Sequence, residues 1–289
     1  MKKFAIILLI ISLNINGQKK VLDHKDFDIW NRIQNSQISS NGDFIMYSLQ
    51  RGEEDSFLKI KDKNANLIFE HDRADKGVFS YNSKYAIFVV KEWNDTITEM
   101  KRRKVKKGKM PMDSLGIFNL QNKTLVKISN IKSYENPEKW SGYLAYTYDS
   151  TNKHKKDTIK EKKRNKKPSS KNGYPLIIRN LDTQKEDTIP FVLDYTFSKK
   201  EKFISYVTSG EKNSTKPGIY IKDLSNNTTK HIYESHEKTK YHKLELSDSG
   251  KHLAFVVDTD STKAYERNKE LYTWNQKNDL KLILDRKSS

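Results

Sequence analysis

The 289-residue chain contains no cysteine. That absence excludes disulfides, a lipidated cysteine, thiolate–zinc sites and a cysteine nucleophile. Proline and glycine are scarce, at 6 and 11 residues, which sets aside fibrous and low-complexity classes. No two glycines stand four positions apart, so the G-x-S-x-G elbow of an α/β-hydrolase does not occur. The same spacing excludes the dinucleotide fingerprint G-x-G-x-x-G and the phosphate-cradling G-x-x-x-x-G-K-[ST] loop. Outside residues 4–13 no apolar run approaches the roughly 18 residues of a membrane-spanning helix.

What is present favours strands. Hydrophobic residues make up 35% and charged residues 32%, with 15 Tyr and 12 Phe among them. A chain this polar must bury its apolar residues in short strands, and aromatic and β-branched residues suit a pleated surface. The N-terminus reads as a cleaved signal peptide over residues 1–17. Lys2 and Lys3 supply the positive region, residues 4–13 the apolar region and Gly17 the small residue at the cut. The expected location is periplasmic or secreted, with no stable membrane insertion.

The net charge of +18 is concentrated. Residues 101–109 (KRRKVKKGK) hold 7 basic and no acidic residues, and residues 153–171 hold 10 basic and 2 acidic. These two runs account for nearly all the excess. Neither contains an aromatic residue, whereas nucleic-acid binders spread basic residues over a folded face with stacking or groove-reading groups. Both runs read as solvated loop insertions, and no nucleic-acid partner is expected.

The organising feature is a repeat of a polar turn followed by an apolar strand. It occurs at residues 38–48, 79–90, 138–148, 195–207 and 244–257. With Phe44, Tyr85, Tyr143, Phe203 and His252 taken as equivalent, the spacings are 41, 58, 60 and 49 residues. The two long intervals contain the basic runs. Further strands fall between these units, at residues 57–62, 66–69, 114–120, 124–128, 174–181, 186–189, 218–224, 229–233, 271–274 and 280–284. Asn41-Gly42, Ser141-Gly142 and Ser249-Gly250 supply the turn residue that tight hairpins require. One four-stranded unit exposes an apolar face on each side, and radial stacking buries those faces. The expected fold class is all-β, a β-propeller of about five four-stranded blades, incomplete or open. The blades fall roughly at 36–75, 76–130, 131–190, 191–240 and 241–289, all within a domain spanning 18–289.

The unit Ser-x-(Asp/Asn)-Gly-x followed by four apolar residues resembles the repeats of TolB and of prolyl oligopeptidase propellers. Residues 22–30 (LDHKDFDIW) with 38–42 (ISSNG) resemble the opening of the propeller in exported bacterial members of the prolyl oligopeptidase family. Residues 110–117 (MPMDSLGI), 255–264 (FVVDTDSTKA) and 270–274 (ELYTW) are similar to further segments of that group. The resemblance implies a serine-peptidase parent whose propeller precedes an α/β-hydrolase domain. This chain stops at Ser289 with about five blades, so the expectation is a non-catalytic propeller portion that gates or binds peptides. Its partner would be a peptide, a protein or a separately encoded α/β-hydrolase domain. The alternative is a stand-alone TolB-like scaffold. No paired-glutamate anchor of the dipeptidyl members is evident.

No catalytic, cofactor-binding or metal-binding residues are assigned, and no cofactor is expected. The histidines are His24, His71, His154, His231, His236, His242 and His252, none in H-E-x-x-H. His231, His236 and His242, near Glu234 and Glu237, form the one cluster and read as surface residues. Asp258 with Asp260, and Glu53, Glu54 and Asp55, read as loop acids because no EF-hand spacing accompanies them. Trp30, Trp93, Trp140 and Trp274 read as blade-to-blade packing residues. A propeller enzyme such as a glycosidase or lactonase would need carboxylates or histidines at the equivalent positions. Those positions are mostly aromatic, which favours core.

Overall fold

The computed structural model of the chain describes residues 23, 26, 30–52, 54–149, 166–235, 239–260, 267–277 and 280–285. The signal-peptide reading, residues 153–165 of the second basic run, His24, Glu53, His154, His236 and Glu237 lie outside them.

Antiparallel four-stranded meanders follow one another along the chain. The first is β1 (Asn31–Ile38), β2 (Phe44–Arg51), β3 (Phe57–Asp62) and β4 (Leu67–Asp72). The second is β5 (Ala74–Phe79), β6 (Tyr85–Val90), β7 (Ser114–Asn119) and β8 (Leu125–Ile128), with helix α1 (Asn94–Arg102) between β6 and β7. A seven-stranded sheet follows, of β9 (Ile131–Glu135), β10 (Tyr143–Tyr148), β11 (Tyr174–Asn180), β12 (Glu186–Phe197), β13 (Phe203–Thr208), β14 (Gly218–Asp223) and β15 (Thr228–Glu234). The last sheet is β16 (Lys240–Leu246), β17 (His252–Asp258), β18 (Lys269–Asn275) and β19 (Leu280–Leu284).

The seven-stranded sheet is two meanders fused through β12. The first part of β12 pairs with β11 and the second with β13, and Val192 pairs with Tyr174 on one side and Thr208 on the other. The strand bends at Phe191, a buried residue held at φ 52°. Such a φ is unfavourable for a bulky side chain, so neighbours must hold it. The Thr208 hydroxyl donates to the Phe191 carbonyl at 3.1 Å and the Ser209 amide does so at 3.0 Å. Gly173 presses on the same carbonyl, where a Cβ would stand 2.4 Å away. Counting β12 in both, the described residues form five four-stranded blades.

The repeated serine closes the hairpin between first and second strands. Ser39, Ser80, Ser198 and Ser247 each donate a backbone N–H to the carbonyl of the residue five positions on. Each serine oxygen accepts the N–H of that same residue, at 3.0 Å in three blades and 3.4 Å at Phe203. Gly42, Gly142 and Gly250 take positive φ in their turns, as hairpin geometry requires.

Alternation along the second strand then builds the core, since successive side chains point to opposite faces. In β6, Ala86, Phe88 and Val90 face the first blade, while Tyr85, Ile87 and Val89 face the third. β10, β13 and β17 repeat the arrangement, with Tyr146, Tyr206 and Phe255 taking the place of Phe88. Third strands place Leu58, Leu115, Leu176 and Ile219 toward the following blade, all fully buried. Among the described residues the buried clusters number four, one between each pair of successive blades.

A closed ring of five would need a fifth cluster joining the last blade to the first. Instead the outward face of the first blade exposes Ile33, Ile38, Ile45, Phe57 and Leu67, and β19 exposes Leu280, Leu282, Ile283 and Leu284. The stack is open.

Candidate functional site

Because every blade is a meander, its loops alternate between two ends. One end carries the serine hairpins. The other carries the loops from second to third strand and the links between blades. Hydrogen bonds fasten that second end: Lys91 N–H to the Arg73 carbonyl, Ile131 to Asp113, Asp149 to Asn130 and Ser235 to Pro217. Both basic runs belong to it, the first lying between β6 and β7 and the second between β10 and β11. The strand ends that flank the two runs in adjacent blades therefore lie on one side of the molecule.

The first insertion corrects the expectation of a plain loop, because its basic run begins on the last turn of α1. Asp55, from the neighbouring blade, accepts the Asn94 N–H at 3.1 Å and so caps the helix start with negative charge. Asp95 stands in the first turn, and Lys101 and Arg102 in the last. That polarity complements the helix dipole. The seven basic side chains from Lys101 to Lys109 are exposed, and Arg103 pairs with Glu99. The second insertion returns at Lys166, whose ammonium donates to the Ser209 and Gly210 carbonyls at 2.8 and 3.0 Å and stands over the Phe191 ring.

Beneath α1, between the first two blades, lies a polar cavity of about 360 Å³ lined by Gln34, Gln50, Asp55, Asp75, Lys91 and Asp113, among others. Asp75 sits at its inner side on β5. Burial works against its charge, yet Lys91 at 2.8 Å, the Lys76 amide and the Asn35 side chain hold its carboxyl below the usual range. Burial raises Asp113.

First strands meet around the axis, and those of the third and fourth blades carry a second polar group. Glu135 on β9 is pushed up by burial, although it accepts hydrogen bonds from the Thr196 hydroxyl at 3.1 Å and the Phe197 N–H at 2.9 Å. Ser133 bridges the Tyr195 hydroxyl at 2.9 Å and the Thr147 hydroxyl at 2.8 Å. These groups can hold polar ligands by hydrogen bonding. Nothing places a nucleophile beside a base among them.

The residues singled out by sequence go to separate places. His231 is stacked face to face on Tyr220 inside the fourth blade, with ring centroids 4.3 Å apart, which corrects the reading of a surface histidine. His242 stands 3.8 Å from Asp258 on the fifth blade. Among the described residues no group of three or more His, Asp or Glu side chains is placed to hold a metal ion. Asp258 is fully buried rather than a loop acid, and the Arg267 guanidinium bonded to it keeps its carboxyl below the usual range. Trp140 and Trp274 are buried between blades, and the Trp140 ring nitrogen donates to the Ser198 carbonyl at 2.8 Å. Trp30 and Trp93 are not packing residues: both are about half exposed, and the Arg73 guanidinium lies 4.3 Å from the Trp93 ring centre. Asp75 and Glu135 escaped sequence reasoning because they lie on short polar strands. Their one legible signal was a carboxylate next to alternating apolar residues.

No protein-family model matches the chain, and no curated protein matches it. Solved structures do. The propeller domain of the Trilobed protease from Pyrococcus furiosus aligns over 89% of this chain and 72% of its own length, at 12% identity and TM-score 0.46. A prolyl endopeptidase aligns over 94% of this chain and 38% of its own, at 11% identity and TM-score 0.49. TolB from Acinetobacter baumannii aligns over 85% and 52%, at 10% identity and TM-score 0.38. The chain's own stack of four-stranded meanders, with a buried cluster between each successive pair, is an open β-propeller fold. This propeller spans about four tenths of the length of the prolyl endopeptidase it matches. No helix of the described residues is long and apolar enough to cross a membrane.

Proposed function

We propose that this propeller is the non-catalytic portion of an exported, prolyl-oligopeptidase-like serine peptidase and that it gates or binds peptide substrates. The observation that carries the reading is the axis. It is lined by first strands whose polar groups, Glu135, Ser133 and Tyr195, can meet peptide N–H and C=O groups. An extended peptide has unpaired backbone groups all along its length, and a strand-lined passage answers them with hydrogen bonds. Catalysis would come from an α/β-hydrolase partner.

Two measurements test this. The purified chain should hydrolyse no peptide ester or amide and take no label from a fluorophosphonate probe. A fluorescent short peptide should gain anisotropy on titration with it, and less so with Glu135→Ala. Labelling at any serine, or a peptide that never binds, contradicts the reading.

A second reading is favoured by the shared end of the strands that flank the two basic insertions: a stand-alone envelope scaffold that captures an acidic protein. Attraction of that kind weakens with salt because exposed charges are screened beyond about 8–10 Å. Reversing Arg102, Lys104, Lys106 and Lys107 to glutamate should abolish salt-sensitive capture, and unchanged capture would remove the reading.

A further inference from the structure

The strongest unexplained feature is the pair of blade faces left uncovered at the two ends of the stack. Each has the side-chain pattern of a face that elsewhere in this chain is buried. On second strands, the positions that face the preceding blade read Ala86-Phe88-Val90, then Leu144-Tyr146, then Ile204-Tyr206-Thr208, then Leu253-Phe255-Val257. All of these are 5% exposed or less. The first blade carries Ile45-Tyr47-Leu49 at those positions, with an aromatic at the centre as in every other blade. Ile45 and its cross-strand partner Ile38 are 41% and 69% exposed, and Ile33 and Phe57, which flank Leu49 on the same face, are 65% and 37% exposed.

The fifth blade shows the converse. On third strands, Leu58, Leu115, Leu176 and Ile219 stand opposite Ser48, Val89, Thr147 and Val207 and are sealed by the following blade. The equivalent pair in the last blade is Leu271 opposite Val256, with Ala254 beside it, and none of the four buried clusters of the described residues includes them. So the chain carries both halves of an interface that it makes four times, and among the described residues neither half is covered.

We infer that the first blade of one copy docks on the fifth blade of a second copy, extending the blade-on-blade packing from chain to chain. Continuity with the internal interface picks out the occupant. The two faces are of opposite kind, present in equal number in any solution of the protein, and patterned to fit each other as successive blades do. The contact is head to tail. A rotation that closes gives a ring of copies, and one that does not gives an open chain of them. The first blade is also the end where apolar exposure is a hazard without a cover.

The test uses the intact protein and two variants, Tyr47→Lys and Val256→Lys, each placing an ammonium on one exposed face. Sedimentation velocity across a concentration series should show wild-type protein growing beyond the monomer, while each variant loses association at least tenfold. An equimolar mixture of the two variants should stop at a dimer, because only one good face of each kind remains per pair. Circular dichroism confirms that each variant keeps its strands. A monomeric wild type at every concentration, or a variant mixture that stays monomeric, overturns the inference. The faces would then belong to a different polypeptide or to each other within one chain.

A second readout needs no variant. Amine cross-linking of mixed heavy and light isotopic copies should join Lys59 or Lys61 of the first blade to Lys243 or Lys281 of the fifth in pairs of mixed isotope. Links found only within one isotope, or no such links at all, overturn it.

Discussion

Asp75 and Glu135 are both carboxylates withdrawn from solvent near the axis, and their surroundings drive them in opposite directions. Asp75 meets an ammonium and an amide that favour its charge. Its folded pKa is lowered, so the stability it contributes is present at neutral pH and is lost as the pH falls through that lowered value. Glu135 is dominated by burial and its folded pKa is raised. Its favourable contribution is present in acid and is lost as the pH rises through the raised value. Asp75→Asn should therefore cost about 1–3 kcal/mol at neutral pH and less in acid. Glu135→Gln keeps an acceptor for Thr196 and Phe197, and its stability relative to wild type should improve as pH rises. Urea midpoints across the acid-to-neutral range check both, and parallel profiles for the two variants would contradict the assignment. At Gly173, φ of +90° and the nearby Phe191 carbonyl leave no room for a side chain. Gly173→Ala should cost about 2 kcal/mol or more, read as a lowered Tm, because strain of this kind costs about 1–3 kcal/mol even before the clash is relieved.

Among the elements, position within the stack decides what a residue is worth. Phe255 and Tyr206 occupy the same place in their blades as Tyr47, but they are enclosed by a preceding blade. Phe255→Ala and Tyr206→Ala should each destabilise by about 3–5 kcal/mol. Tyr47→Ala should stay within about 1 kcal/mol in dilute protein, where no second copy covers it. Equal losses at all three would mean that the first blade is covered within one chain. The same distinction explains which strands sequence could show. Strands such as β6 (YAIFVV) and β10 (YLAYTY) are buried on both faces and read as apolar runs after a Ser or Gly turn. First strands such as β1 (NRIQNSQI) and β16 (KYHKLEL) edge the axis, where polar side chains are tolerated, and they gave no apolar run to find. Helix α1 was hidden for another reason. Its cap, Asp55, lies 39 residues upstream on another blade, and a local reading of residues 94–109 registers the basic run alone.

For the whole molecule, the repeat made the radial stack of meanders legible, since each sheet lacks enough apolar surface to stand alone. What sequence could not show was where the polar groups converge. Asp75 meets Lys91, and Glu135 meets Thr196, only after blades are set side by side. The strand ends that flank the two basic runs lie at one end only because meander connections alternate. Among the described residues five blades make four interfaces, which leaves the first and fifth apart. A cysteine-free chain permits two introduced cysteines, at Ile45 and Val256, to carry spin labels on the two uncovered faces. Pulsed dipolar spectroscopy on this doubly labelled protein, diluted with unlabelled copies, reads their separation within one chain. The open stack predicts a separation well beyond that of packed sheets, whereas a distance near the roughly 10 Å of two stacked sheets would show that the ring closes and would contradict it.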